Sequence, residues 1–435
     1  MRRRAFLFLS AMAAALLTMA GPAWAETFVV NSAGDGADTT PAGVCNTAPF
    51  PAGTEPECTL RAAIMEANAN DNGAAIVDTI AFDIPGSGVQ TIRPGTALPE
   101  ITEAVTIDGY TQPGASENTK AVGTNAILRV ELDGTSVSAG SGLDIHASNS
   151  AIRGLVINRF GGHGILIDRC ITDGHRIEGN FIGTDPGGTQ NLGNDGNGVV
   201  ACSGSTTVGG TSPAARNLIS GNEVSGVIIG GPGSMVRGNL IGTTKEGTTA
   251  LGNRDNGVKI VGPSSTVANN TIAFNILGAG VEAVEIGEGT RANSILSNSI
   301  FSNGRLGIDL DGNGVTANDA GDADTGANDL QNFPVITRAT TSRSTGRAVV
   351  RGTLNSTPTT TFTIQLFTNS AQDPSGFGEG RRLVRTLSVR TDASGNASFG
   401  LKARKLRGFV SATATNDATG DTSEFSKARK AIRKQ

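Results

Sequence analysis

The stretch that decides the fold is GNFIGTDPGGTQNLGNDGNGV, residues 179–199, because it returns 59 residues later as GNLIGTTKEGTTALGNRDNGV, residues 238–258. The two copies agree at 13 of 21 positions, far above chance, so the chain is built from a repeated unit. A shorter unit lies inside. A glycine followed by alternating, mostly apolar residues recurs at Gly142, Gly164, Gly198, Gly226, Gly257, Gly280 and Gly307, at spacings of 22 to 34. A second short segment recurs as Asn217-Leu218-Ile219, Asn270-Thr271-Ile272 and Asn298-Ser299-Ile300.

Units of this length, made of short strands with almost no helical periodicity, describe an all-β solenoid, a right-handed parallel β-helix, rather than a sandwich. Equivalent residues of successive coils then stack about 4.8 Å apart. The alternation places Leu143, Ile165, Val199, Val227, Val258, Val281 and Ile308 in one interior column, and Ile145, Ile167, Ala201, Ile229, Ile260, Ala283 and Leu310 in the next. Buried aliphatics of this size contribute roughly 1.5 to 3 kcal/mol each. Glycine and asparagine suit the corners, where left-handed backbone angles are tolerated, and asparagine columns there can hydrogen-bond from coil to coil.

Outside this region the signals are shorter. Arg2, Arg3 and Arg4 precede an apolar run ending at Ala23-Trp24-Ala25, so residues 1–25 read as a secretory signal. No later stretch approaches the roughly 20 apolar residues that cross a bilayer. The expected location is secreted or cell-surface, or periplasmic where the host has an outer membrane. Residues 26–74 form an expected cap module, with Thr59 starting a short helix that turns Leu60, Ile64 and Ala67 to one face. Segments 75–82, 88–92, 104–107 and 126–132 read as strands, and the coils run to residue 333. Alternating runs within 334–426 make a β-sandwich of immunoglobulin-like size, and the basic tail 427–435 is expected to fray.

Four cysteines remain after the signal, in a compartment that permits disulfides. Cys45 and Cys58 enclose a Pro/Gly-rich loop and are paired on that ground. Cys170 and Cys202 fall on neighbouring coils with matching parity, which allows either a disulfide across the rungs or two free buried thiols.

Phe28-Val29-Val30-Asn31-Ser32, Asp35, Cys45 and the run Cys58-Thr59-Leu60-Arg61-Ala62-Ala63-Ile64 with Glu66-Ala67-Asn68 resemble the N-terminal CSLREA module of bacterial exported proteins. Thr59 stands where that motif has Ser, and Ala62 where it has Glu. Asn318 to Pro334 resembles the exit from the β-helix in the same proteins, and Thr422 to Ser426 their ending. The resemblance implies this architecture, with PbH1-type repeats, and a role at or outside the cell surface. β-Helices also include pectate-lyase-like enzymes and polysaccharide-binding proteins.

Chemistry on the coil would need carboxylates about 5 to 9.5 Å apart for glycoside hydrolysis, or a base with a cation for a lyase. The outward column reads Asp144, Leu166, Val200, Ile228, Lys259, Glu282 and Asp309. Lys259, Glu282 and Asp309, with Asp311, are the candidate catalytic strip, set against the reading that they are solvated charges on the last coils. Asp319, Asp322, Asp324 and Asn328 are the candidate Ca²⁺ ligands, set against a solvated acidic turn. The spacing of His146, His163 and His175 matches no compact zinc motif, which makes them surface histidines. There is no Gly-x-Ser-x-Gly elbow and no phosphate-binding glycine loop. With one tyrosine, and one tryptophan inside the signal, sugar-stacking platforms are few. Without the three signal arginines the formal charge moves from -4 to -7, which argues against a nucleic-acid partner. The expected protein is a noncatalytic adhesion or matrix/polysaccharide-binding module with a polysaccharide or surface receptor as partner; the alternative is a polysaccharide lyase or hydrolase.

Overall fold

The computed structural model describes residues 24–41, 43–48, 56–70, 76–167, 170, 173–285, 289–404 and 406–434. Of the expected signal, all but Trp24 and Ala25 lies outside these. Three parallel sheets run side by side along the molecule, with nine, eight and seven strands among the described residues. Each complete coil contributes one strand to each sheet, as Arg176–Glu178, Phe181–Ile182 and Val199–Ala201 do. This is a three-sided parallel β-helix. In the third sheet Val199 pairs with Ile165 and Val227, then Val227 with Val258, Val258 with Val281 and Val281 with Ile308. Both expected interior columns are buried along their whole length. The four early strands form as Asp78–Phe82, Gln90–Ile92, Val105–Asp108 and Val130–Asp133.

The glycine that opens each third-sheet strand is there for a different reason from the one expected. None of Gly142, Gly164, Gly198, Gly226, Gly257 and Gly280 has a positive φ. A Cβ on Gly198 would instead lie 2.6 Å from the Gly226 carbonyl oxygen of the next coil and 2.6 Å from an Ile219 methyl. The backbones approach too closely there for any side chain.

The corners are held by amides. Asn180, Asn217, Asn239, Asn270 and Asn298 form one buried ladder; the side-chain Nδ2 of Asn217 donates to Asn239 Oδ1 at 3.0 Å, Asn239 to Asn270 at 3.0 Å and Asn270 to Asn298 at 3.0 Å. Asn194, Asn222, Asn253, Asn275 and Asn303 form a second, with rungs of 2.8 to 3.0 Å. The two ladders flank the second sheet. In most coils their asparagines are close in sequence, as in Asn217 and Asn222, but in the two 21-residue repeats a loop intervenes before Asn194 and Asn253. These loops touch, Lys245 N–H donating to Gly188 O at 2.9 Å, and they help cover the outward apolar cluster of Leu128, Val156, Phe181, Leu218 and Leu240.

Both ends are closed. The helix Leu60–Ala69 starts at Thr59, whose hydroxyl accepts the Ala62 N–H, and lays Leu60, Ala63, Ile64 and Ala67 over the first coil. Arg61 grips Asp35 through two bonds of 2.9 and 3.1 Å and two carbonyls of residues 96 and 97, while Asn31 holds Cys58 N–H and Pro56 O. Both disulfides, Cys45–Cys58 and Cys170–Cys202, are formed. At the far end a sandwich of two four-stranded sheets covers the last coil and contributes Phe367 and Phe425 to the solenoid core. The basic tail is not frayed within the described residues. Arg429–Lys430 pairs with Phe409–Asn416 and Ile432–Lys434 with Val335–Ser342, so the tail adds an edge strand to each sheet of the sandwich. Unpaired strand edges attract such additions.

Asn239→Ala would leave the buried Asn217 N–H and Val208 carbonyl without their partners. At about 1–3 kcal/mol for each orphaned group, the expected loss is about 3 kcal/mol, read as a lower urea midpoint with unchanged circular dichroism at zero urea.

Candidate functional site

Register places the expected outward strip as anticipated: Lys259 pairs with Glu282 and Glu282 with Asp309 on adjacent coils. What the sequence did not show is how little of it faces water. Glu282 is 8% exposed and Asp309 1%. Lys259 Nζ binds Glu282 Oε1 at 2.9 Å. Asp309 accepts the Gly314 N–H at 3.1 Å and Asp311 the Ala327 N–H at 3.1 Å, so both fold the exit segment down onto the last coil. Solvated charges are therefore the wrong description of Glu282 and Asp309: they are desolvated and bonded. Burial, with Glu282 and Asp311 nearby, pushes the Asp309 carboxyl up. A groove of about 420 Å³ lies beside it, lined by Arg305, Asp309, residues 312–315 and residues 373–375 of the sandwich.

The same end carries two sandwich carboxylates that sequence reading passed over. Glu379 accepts the N–H groups of Ser302 at 2.7 Å and Asn303 at 3.0 Å, closing the second asparagine ladder. Glu424 accepts the N–H groups of Leu310 and Thr316, both at 3.1 Å. Burial raises both groups, Glu424 to about 8 with Asp309 adding repulsion. No sequence spacing points to them, because they sit in connecting segments of the sandwich, 77 residues from Ser302 for Glu379 and 114 from Leu310 for Glu424.

Asp319, Asp322 and Asp324 each bring one carboxylate oxygen within 4.8 Å of the others. Burial and the mutual repulsion of the three push Asp322 up to about 6 and Asp324 upward. Hard oxygen donors in this arrangement suit Ca²⁺. Asp324 Oδ1 is buried without a hydrogen bond, whereas Asp322 accepts from Asn332 N–H and Ser356 O–H. Asn328 is not among them. It extends the corner at the third face instead, its Oδ1 accepting Asn293 N–H at 3.0 Å and its Nδ2 donating to Asn293 O and Thr422 O.

The histidines are not uniformly on the surface. His175 is 0% exposed, and burial pushes it down to about 4. His163 Nδ1 accepts the Asn197 N–H. His146 lies between Asp144 at 2.9 Å and Glu100 at 3.6 Å, on the first coil of the third sheet. Tyr110 is no open sugar platform, since its hydroxyl donates to Gly179 O and Arg153 lies over its ring.

No family model matches the chain, and no curated protein matches it. Similar solved structures are pectate lyase Pel9A (13% identity, 66% of this chain and 74% of that one, TM-score 0.29) and the A-module of the Azotobacter vinelandii mannuronan C-5 epimerase AlgE4 (18%, 56% and 69%, 0.22). Tailspike protein 2 of bacteriophage CAB120 is another (11%, 84% and 66%, 0.18). At these scores the fold assignment rests on the strand register alone.

The buried carboxylates set a pH dependence. An acid whose folded value exceeds its unfolded one takes up a proton on folding, so its stabilisation is complete below the unfolded value and is lost as pH rises through the folded one. For Glu424 that window runs from its ordinary 4.5 to about 8, and Glu379, Asp309 and Asp322 act with the same sign. His175, pushed down to about 4, acts with the opposite sign below its ordinary 6.5, so urea midpoints should fall as pH rises from about 6.5 to 8, and Glu424→Gln should flatten the fall.

Proposed function

We propose that this is an exported, noncatalytic β-helix protein that adheres to an extracellular matrix or polysaccharide, secreted or held at the cell surface, with a CSLREA-like cap at its first coil. The observation that carries this reading is the state of the carboxylate strip: Glu282 is tied to Lys259, and Asp309 and Asp311 to backbone N–H groups. Groups committed to holding the exit segment are poorly placed to exchange protons with a substrate. Two disulfides fit an oxidising compartment, and among the described residues no helix is long and apolar enough to cross a membrane. The second reading, a polysaccharide lyase or hydrolase, draws on the groove beside Arg305 and the raised Asp309.

The test is incubation of the mature protein with acidic and neutral polysaccharides, scoring retained binding and unsaturated or reducing-end products. Binding without product is the expected outcome. Product that disappears in folded Glu282→Gln and Asp309→Asn variants would move the assignment to the enzyme.

A structural Ca²⁺ at Asp319, Asp322 and Asp324 belongs to the same proposal, as a brace between coil and sandwich. Millimolar Ca²⁺ should raise the melting midpoint by a few degrees over EDTA, and Asp324→Asn should abolish the shift; an unshifted wild-type midpoint removes calcium from the reading.

A further inference from the structure

The formal charge of -7 that remains without the signal arginines sums two unlike parts. Residues 26–333 carry 33 Asp/Glu against 15 Lys/Arg, while residues 334–435 carry 6 against 17. The basic excess is not spread evenly over the sandwich. The strands Arg382–Arg390 and Asn396–Arg404 are the free edges of the two sheets, each paired on one side only. Between them opens a cleft of about 640 Å³. Arg347, Arg382, Arg385, Lys402 and Arg407 line it, all exposed, and no acidic residue does. Among the described residues none of the five has a carboxylate within ion-pair distance. Leu383, Leu401 and Leu406 supply apolar wall between the charges.

The cleft does not end at the sandwich. A second groove of about 640 Å³ shares Thr368, Arg382 and Arg407 with it and runs onto the outer face of the second sheet, past the side chains of Thr271 and Ser299. The combined path is elongated and cationic at one end, with Thr248, Thr271, Val122 and Phe301 along the other, and its run of cations suits a linear polymer with repeating negative charge. A single-stranded nucleic acid would call for exposed rings on which its bases stack. The aromatic ring on this path, Phe301, already carries the Arg381 guanidinium over it at 4.4 Å.

Lys and Arg on free edges also discourage strand addition. That role accounts for Arg382, Arg385 and Lys402, but not for Arg407 in the following loop or for the continuation of the groove onto the coils.

We propose that this cleft binds an acidic polysaccharide, its guanidinium and ammonium groups pairing with the carboxylate or sulfate groups of successive sugars. The proposal rests on the adhesive reading and takes it further, placing the ligand site on the sandwich rather than on the outward strip of the coils. Exposed pairs are individually weak and screened by salt, so affinity comes from several acting together and falls as salt rises.

Affinity electrophoresis of the full mature chain through gels holding polygalacturonate, dextran sulfate or uncharged dextran tests it. The variant Arg382→Gln/Arg385→Gln/Lys402→Gln changes only exposed side chains, and circular dichroism and the urea midpoint report its fold. Wild type should be retarded by at least one of the charged polymers and not by dextran, with retardation weakened at least tenfold in the variant and by 0.5 M salt. Retardation by a charged polymer that survives the triple substitution overturns the cleft while leaving the adhesive reading intact. Wild-type retardation by dextran alone also overturns the cleft, and absence of retardation by every polymer removes both. A single-stranded oligonucleotide bound more tightly than either charged polymer overturns the choice of ligand. Aggregation of the variant with unchanged retardation overturns the proposal in favour of edge protection.

Discussion

Everything in this molecule depends on stacking one coil flat on the next at strand spacing. Parallel pairing satisfies the backbone along the three faces, but each coil must also turn three times, and a buried turn leaves N–H and C=O groups without ladder partners. The asparagine ladders meet that need. A single amide at each corner donates to a carbonyl of the preceding coil and accepts from the backbone N–H there, as Asn239 does for Val208 and Asn217. The entry to each third-sheet strand uses a different device, a glycine where two backbones approach too closely for a Cβ. With the corners satisfied, insertions between the ladders are tolerated, and two of them became stacked loops that shield an apolar outer surface.

A ladder that repeats has to stop somewhere. At the first coil a short helix and the network of Arg61, Asp35, Asn31 and Cys58 cover the open end. At the last coil the sandwich supplies what a further coil would have supplied: Phe367 and Phe425 for the core, Glu379 and Glu424 for the orphaned N–H groups. Carboxylates can accept two N–H groups each, and their burial here is the cost of closing the stack with acids rather than amides. The candidate catalytic strip lies in this closure, and its carboxylates are drawn into the same work of holding chain ends in place.

The two ends also differ in charge. An acidic solenoid joined to a basic sandwich leaves cations gathered along free sheet edges and acids distributed over the coils, so the net charge describes neither part. What the sandwich can bind is set by the basic groups lining its cleft and not by the charge of the whole chain.

The sequence by itself determined the coils. Period-two alternation after a recurring glycine is a local signal, and every interior residue it named is buried in the register expected. The helix cap at Thr59 and the pairing of Cys45 with Cys58 were likewise legible from neighbours in the chain. Tertiary structure decided the rest. Whether Glu282 and Asp309 are solvated depends on the exit segment folded over them, Asn328 could be told from a metal ligand only by its place beside Asn293, and the tail is a strand because both sandwich sheets end where it passes. The physical reason is range: alternation and capping act within a few residues, whereas desolvation and ladder closure are set by groups far apart in the chain, as Glu379 is to Ser302 across 77 and Glu424 to Leu310 across 114.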